Sequence, residues 1–150
     1  MHVSYCLGRA KINDVIFHLQ SCDDQFIPSL STRLDISKYA TKIVENANTF
    51  EAWIDEELVG LIATYCNSPD RIVAYITSVS VLQKCHNKGI ASQLLLNCID
   101  TVLEIGFKSM QLEVGISNER AIRFYTKHGF STFSHEGNIK KMSVNFKMEL

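Results

Sequence analysis

Proline is scarce in this chain, with two in 150 residues, and the seven glycines are scattered. No Pro/Gly/Ser-rich stretch, repeat or low-complexity tract separates one part from another. The length suits a single domain, 1–150, with a core of its own. Long apolar runs are missing too. None approaches the roughly 20 residues of a bilayer span, and the opening segment MHVSYCLGRAKIND has no apolar stretch of signal-peptide length. The five cysteines, Cys6, Cys22, Cys66, Cys85 and Cys98, are odd in number and include no CxxC. That spacing argues against a disulfide framework and a zinc ribbon, and for reduced thiols in a cytoplasmic protein. His2, His18, His128 and His135 show no metal-ligand spacing, so no metal is expected. An excess of one charge is absent: the formal net charge is -1. A general nucleic-acid binder would be clearly basic, so neither nucleic acid nor a membrane is expected as a partner. Two familiar phosphate loops, GxxxxGK[ST] and GxGxxG, do not occur.

What is present is an alternation of strand and helix patterns. Strands are expected over 2–8, over 49–66 as a hairpin turning near Asp55–Glu57, and over 72–81, 109–114, 130–135 and 139–150. Helices are expected over 13–22, with Asn13 or Asp14 as N-cap, and over 35–46, 90–106 and 118–129. Gly106 and Gly129 suit the ends of the last two. Residues 26–33 read as an irregular loop. Strands outnumber helices, and hairpins mix with crossovers. One mixed sheet flanked by helices is the natural packing solution. The alternating segment MSVNFKM (142–148) reads as an edge strand, either free or at a dimer interface; both a monomer and a homodimer fit.

The segment CHNKGIAS (85–92) follows the clearest strand and opens directly into the longest helix. A glycine-containing turn at a helix start can aim successive N–H groups at an anion, with the helix dipole behind them. Gly89 and Ala91 would allow close approach, and His86 and Lys88 could add charge.

This stretch, VSVLQKCHNKGIASQLL, resembles the cofactor motif of the GNAT superfamily of N-acetyltransferases, [Q/R]-x-x-G-x-[G/A] after a strand ending in V-x-V. The matching positions are Val79 and Val81 on the strand and His86, Asn87, Lys88, Gly89, Ile90 and Ala91 in the turn. A second block, LEVGISNERAIRFYTKHGF, resembles the family's next motif through Leu112, Val114, Asn118, Ala121, Ile122, Phe124, Tyr125, Gly129 and Phe130. One departure is His86, where the family has Gln or Arg. It would weaken a pyrophosphate contact or replace it with an imidazole donor.

The resemblance implies an α/β (α+β) fold: a GNAT-like, mostly antiparallel central sheet, splayed between the strands at 72–81 and 109–114. It implies acetyl-coenzyme A as cofactor, coenzyme A as product, and an amine of a small molecule or peptide as acceptor. Val79, Val81, His86 to Ser92 and Asn118 are then the cofactor residues, and Tyr125 the acid toward the departing thiolate. By residue type alone, Tyr125 reads as a packing aromatic beside Phe124, and Asn118 as a helix cap. For the base, Glu113 is the one carboxylate among Glu113, Tyr75, Thr77 and Ser80 on the two cleft strands; ordered water is the alternative. Alternation puts Glu113 on the sheet face opposite Leu112 and Val114. Cys85 lacks a paired base, so direct transfer is expected. The loop carrying Phe26 and Arg33, within 22–35, is expected at the acceptor entrance beside Tyr75 and Thr77. Its mixture of Asp23, Asp24 and Arg33 favours neither charge of acceptor. The competing reading is a non-catalytic acyl-coenzyme A-binding module that kept the fold.

Overall fold

The run Leu58 to Thr64 is buried at every residue. A strand achieves that only when both faces of its sheet are covered. In the computed structural model, which describes residues 2–146, this run belongs to the third of seven strands. The strands are β1 (Ser4–Leu7), β2 (Asn48–Ile54), β3 (Glu57–Tyr65), β4 (Val73–Val81), β5 (Ser109–Gly115), β6 (Ser131–Glu136) and β7 (Ile139–Asn145). The helices are α1 (Ile12–Ser21), α2 (Ile36–Asn46), α3 (Ile90–Ile105) and α4 (Glu119–Lys127). The last residues of the strand expected over 139–150 lie outside the described residues.

The sheet order is β1-β2-β3-β4-β5-β7-β6. Every neighbouring pair is antiparallel except β4 and β5. α1 and α2 cover one face, where Val15, Leu19, Ala40 and Ile43 meet Leu61, Ala63 and Trp53. α3 and α4 cover the other, where Leu94, Leu95, Cys98 and Val102 meet Ile62, Ile76, Met110 and Leu112. The apolar stripe at 90, 94, 95, 98 and 102 is thus the buried side of α3.

Three expectations need correction. The N-cap of α1 is Lys11, not Asn13 or Asp14; Asp14 instead reaches back, accepting from the Lys11 N–H at 2.9 Å. Residues 26–33 are not wholly irregular, because a 3₁₀ turn at Leu30–Thr32 follows another at Asp23–Gln25. Asp23 organises this stretch by accepting from the Ser31 N–H at 2.7 Å and its hydroxyl at 2.6 Å. The strand expected at the edge, β7, lies between β5 and β6, so β1 and β6 flank the sheet. Among the described residues no helix is long and apolar enough to cross a membrane.

A parallel pair needs a crossover, and α3 provides it here. β4 and β5 then pair only through Val73↔Ser109, Ala74↔Met110 and Tyr75↔Gln111. Beyond that rung they separate. β4 stays with β3 as far as Gly60↔Val81, and β5 stays with β7 as far as Gly115↔Ile139. The expected splay is therefore present, as a cleft whose walls are two unpaired strand edges.

Candidate active site

At the open end of the cleft β4 passes through a short turn into α3. Asn87 and Gly89 both adopt left-handed backbone, with φ of 63° and 76°. The chain reverses here, and the N–H groups of Asn87 and of Gly89 to Ser92 find no backbone acceptor; the helix ladder begins with Gln93 N–H to Gly89 C=O at 3.0 Å. A run of unsatisfied donors at a helix start is an anion cradle. A Cβ built at Gly89 would meet nothing within 4 Å, so the space over the cradle is open. Lys88 is exposed beside it, whereas the Ile90 side chain is buried at 2% exposure and can contribute only its N–H.

His86 does not point into this cradle through Nε2. That nitrogen donates back to the Val81 carbonyl at 2.8 Å and lies 3.0 Å from Gln25 Oε1. Val79 and Val81 pack in the core shared with α3, leaving their backbone on the cleft edge. Ser92 is hydrogen-bonded to His128 Nε2 at 3.1 Å. This contact ties the last turn of α4 to the first turn of α3. Tyr125 lies three residues before His128 and so shares its helix face. Its ring packs on Phe130, centroids 5.9 Å apart, and edge-on to Phe124 at 5.5 Å. Burial alone pushes the Tyr125 hydroxyl above its ordinary pKa of 10.0, with no hydrogen bond offsetting it. Asn118 caps α4, accepting from the Ala121 N–H at 3.2 Å.

The face under α1 and α2 is more polar. Tyr75 sits on the last shared rung of β4 and β5. Its hydroxyl is pushed up to about 12, by burial first and by the nearby Glu113 carboxylate second. Glu113 is exposed while Leu112 and Val114 are buried, as alternation required. Thr77 is held by Tyr39, whose hydroxyl lies 2.7 Å from both the Thr77 carbonyl and its Oγ1. Phe26 is half-buried and packs against both core clusters; Arg33 is exposed.

The sequence pattern pointed to none of Tyr39, Gln25 and Ser78 as site residues. Ser78 has a buried hydroxyl with no partner. His18 is buried at 1% exposure, donating from Nδ1 to the Leu58 carbonyl and accepting at Nε2 from Ser80, each at 2.9 Å. Burial holds its pKa below the ordinary 6.5, so it is a neutral core histidine. Cys85 is buried at 1% exposure, and burial pushes the Cys22 and Cys98 thiols up to about 11 and about 12. A groove of about 530 Å³ between α1 and the β2–β3 turn is lined by residues such as Phe17, Asp55, Glu56, Glu57 and Leu58 and by none of the residues of the β4–β5 splay. Its size does not outweigh the donor run and open edges found at the splay. Among the described residues no group of three or more His, Cys, Asp or Glu side chains could hold a metal ion.

Comparison with known proteins agrees with this geometry. Over 87 residues the chain is 25% identical to an uncharacterized N-acetyltransferase, YvbK, of Bacillus subtilis (strain 168). That match takes in 58% of this chain and 55% of the relative, so the chain spans little more than half the relative's length. The fold is that of the PaiA N-acetyltransferase from Thermoplasma acidophilum, solved in complex with coenzyme A: TM-score 0.78, 16% identity, 97% of this chain and 100% of that one. It is also that of a GNAT family acetyltransferase from Elizabethkingia anophelis with acetyl-CoA bound: TM-score 0.70, 16% identity, 96% and 98% coverage. The model of the Acetyltransferase (GNAT) family matches residues 14–130, from α1 through the cradle and α4 to Phe130. A match of that extent, over a sheet splayed beside an anion cradle, makes this chain a member of the GNAT acetyltransferase family.

Proposed function

We propose that the chain is an acetyl-coenzyme A-dependent N-acetyltransferase that moves the acetyl group directly to a primary amine of a small molecule or peptide. The observation that supports this reading is the splay itself: the glycine turn ahead of the α3 hydrogen-bond ladder lies at the end of the unpaired edge of β4, and Ser92 in the first turn of α3 is hydrogen-bonded to His128 at the end of the helix that carries Tyr125. Acetyl-coenzyme A supplies, when bound, an activated thioester on a diphosphate-bearing, amide-containing arm.

The cradle's N–H groups suit the diphosphate, with Lys88 adding charge and Gly89 leaving room for approach. The edge of β4 from Ile76 to Val81, apart from the Thr77 and Val81 carbonyls already engaged by Tyr39 and His86, offers backbone groups to the arm's amides, as a sheet edge does to an added strand. His86 serves by bracing the strand end through Val81 and Gln25. Tyr125 stays protonated at neutral pH and donates to sulfur as negative charge develops there. Because its pKa lies above that of a thiol, full proton transfer is uphill, and much of its effect is a hydrogen bond to the forming anion. On the opposite face Glu113, beside Tyr75, takes the proton of the incoming ammonium. Cys85, the cysteine next to the turn, is buried, which supports direct transfer over an acyl-enzyme.

The test is incubation with acetyl-coenzyme A and a panel of primary amines, following coenzyme A release and product mass. Acetylated amine is expected. Acetyl-coenzyme A binding without transfer to any amine would leave the binding-module reading standing instead.

A further inference from the structure

Three stretches far apart in the chain bring apolar side chains to one place. Ile27 and Pro28 come from the α1–α2 loop, Ile116 from the end of β5 and Ile139 from the start of β7, and they line a cavity of about 320 Å³. Ile27 is 49% exposed, and Ile116 and Ile139 are each 37% exposed. The remaining lining is Gly115 and two uncharged polar residues, Ser117 and Asn138. The loop lies close over the strand end: a Cβ at Gly115 would stand 3.2 Å from the Ile27 carbonyl oxygen. No charge from this loop lines the cavity, and Asp23 is already engaged by Ser31.

The position matters as much as the lining. Gly115 lies on the same sheet face as Glu113, two residues or about 7 Å along the strand. That is the face away from α3, on which Tyr75 and Glu113 meet. An amine whose nitrogen reaches Glu113 would therefore carry its substituent against Ile27, Pro28, Ile116 and Ile139. Such a wall rewards apolar surface and offers nothing to a second positive charge or a ring of hydroxyls.

We propose that this cavity binds the hydrophobic substituent of the acceptor, so that the acceptor class is an alkyl- or arylalkyl-amine rather than a polyamine or amino sugar. The word acceptor rests on the transferase reading above; the cavity's preference does not.

The experiment is calorimetric titration of the protein, with coenzyme A present, by n-alkylamines from butylamine to octylamine, and by spermidine and glucosamine. Affinity should tighten by about four-fold per added methylene until the cavity is filled. Spermidine and glucosamine should bind at least about ten-fold more weakly than hexylamine. Ile27→Asp and Ile139→Ser alter exposed side chains, so both should fold, as checked by circular dichroism. Each should flatten the chain-length dependence while coenzyme A affinity holds. Affinity independent of chain length, spermidine binding as tightly as hexylamine, or an unchanged slope in both variants would overturn the proposal. Acetylation is followed in parallel: a steep slope without transfer keeps the cavity and removes the transferase reading, and transfer without a slope does the reverse.

Discussion

Replacing Tyr125 by Phe isolates one hydroxyl. The ring contacts, at 5.5 Å to Phe124 and 5.9 Å to Phe130, survive the change. The hydroxyl contributes no hydrogen bond within the fold, so stability should move by less than about 0.5 kcal/mol. Turnover should nevertheless fall by about 100-fold to 10,000-fold, the usual worth of a positioned proton donor. That corresponds to roughly 3–5 kcal/mol of transition-state stabilisation. Acetyl-coenzyme A affinity should hold, because the hydroxyl matters as charge develops on sulfur. The pH profile adds a second readout. Burial raises the Tyr125 pKa above 10.0, so wild type should show no alkaline fall from tyrosine ionisation below about pH 10. Tyr39→Phe is the contrasting variant. It loses hydroxyl contacts of 2.7 Å to Thr77 and should cost about 1 kcal/mol of stability. The measurements are steady-state kinetics, calorimetry with acetyl-coenzyme A, and urea unfolding. Turnover of Tyr125→Phe within a few-fold of wild type, or a loss accounted for by weaker cofactor binding, would refute the assignment.

Three further outcomes are expected. Gly89→Glu, at a φ of +76° with open space around the Cβ position, should cost about 1–2 kcal/mol of backbone strain; it should also weaken acetyl-coenzyme A binding at least about ten-fold by placing a carboxylate in the cradle. Gly89→Ala carries the strain without the charge, and equal calorimetric losses in the two variants would remove the anion from the explanation. His18 is held neutral by burial, its folded pKa below the ordinary 6.5. The unfolded chain therefore takes up the proton first, and stability present above about pH 6.5 is lost as pH falls toward the folded pKa. The urea midpoint of wild type should drop between about pH 7 and pH 5 more than that of His18→Gln, and parallel curves would contradict this. Glu51 is fully buried, accepting from the Ala10 N–H at 2.9 Å, Arg9 N–H at 3.1 Å, Trp53 Nε1 at 2.9 Å and the Thr49 hydroxyl. Glu51→Gln sets an amide donor against these donors and should cost about 2–3 kcal/mol in urea unfolding; an unchanged midpoint would show that the network rearranges freely.

Local chemistry explains what was legible in the sequence. The stripe at 90, 91, 94, 95, 98, 99, 102 and 103 specifies a helix with one apolar side, because those positions recur at the helical period whatever lies opposite; packing then buries 90, 94, 95, 98 and 102 and leaves Leu103 exposed. The hairpin at 49–66, the cap at Asn118 and the turn at Asn87–Gly89 likewise depend on residues within a few positions of one another. The family motifs are short for the same reason. Other features depend on contacts between distant residues. β7 enters the sheet between β5 and β6, and an alternating pattern cannot say on which side a strand finds its partner. His86 turns to Val81 and to Gln25, 61 positions away. The charges of the α1–α2 loop were visible, but Asp23 is consumed by Ser31 while Ile27 and Pro28 line a cavity with the ends of β5 and β7. The sequence by itself determined which segments are strand or helix and where a glycine turn opens into α3. Only the tertiary structure decided which side chains meet across the cleft, because that depends on loop closure and packing between segments that carry no local trace of each other.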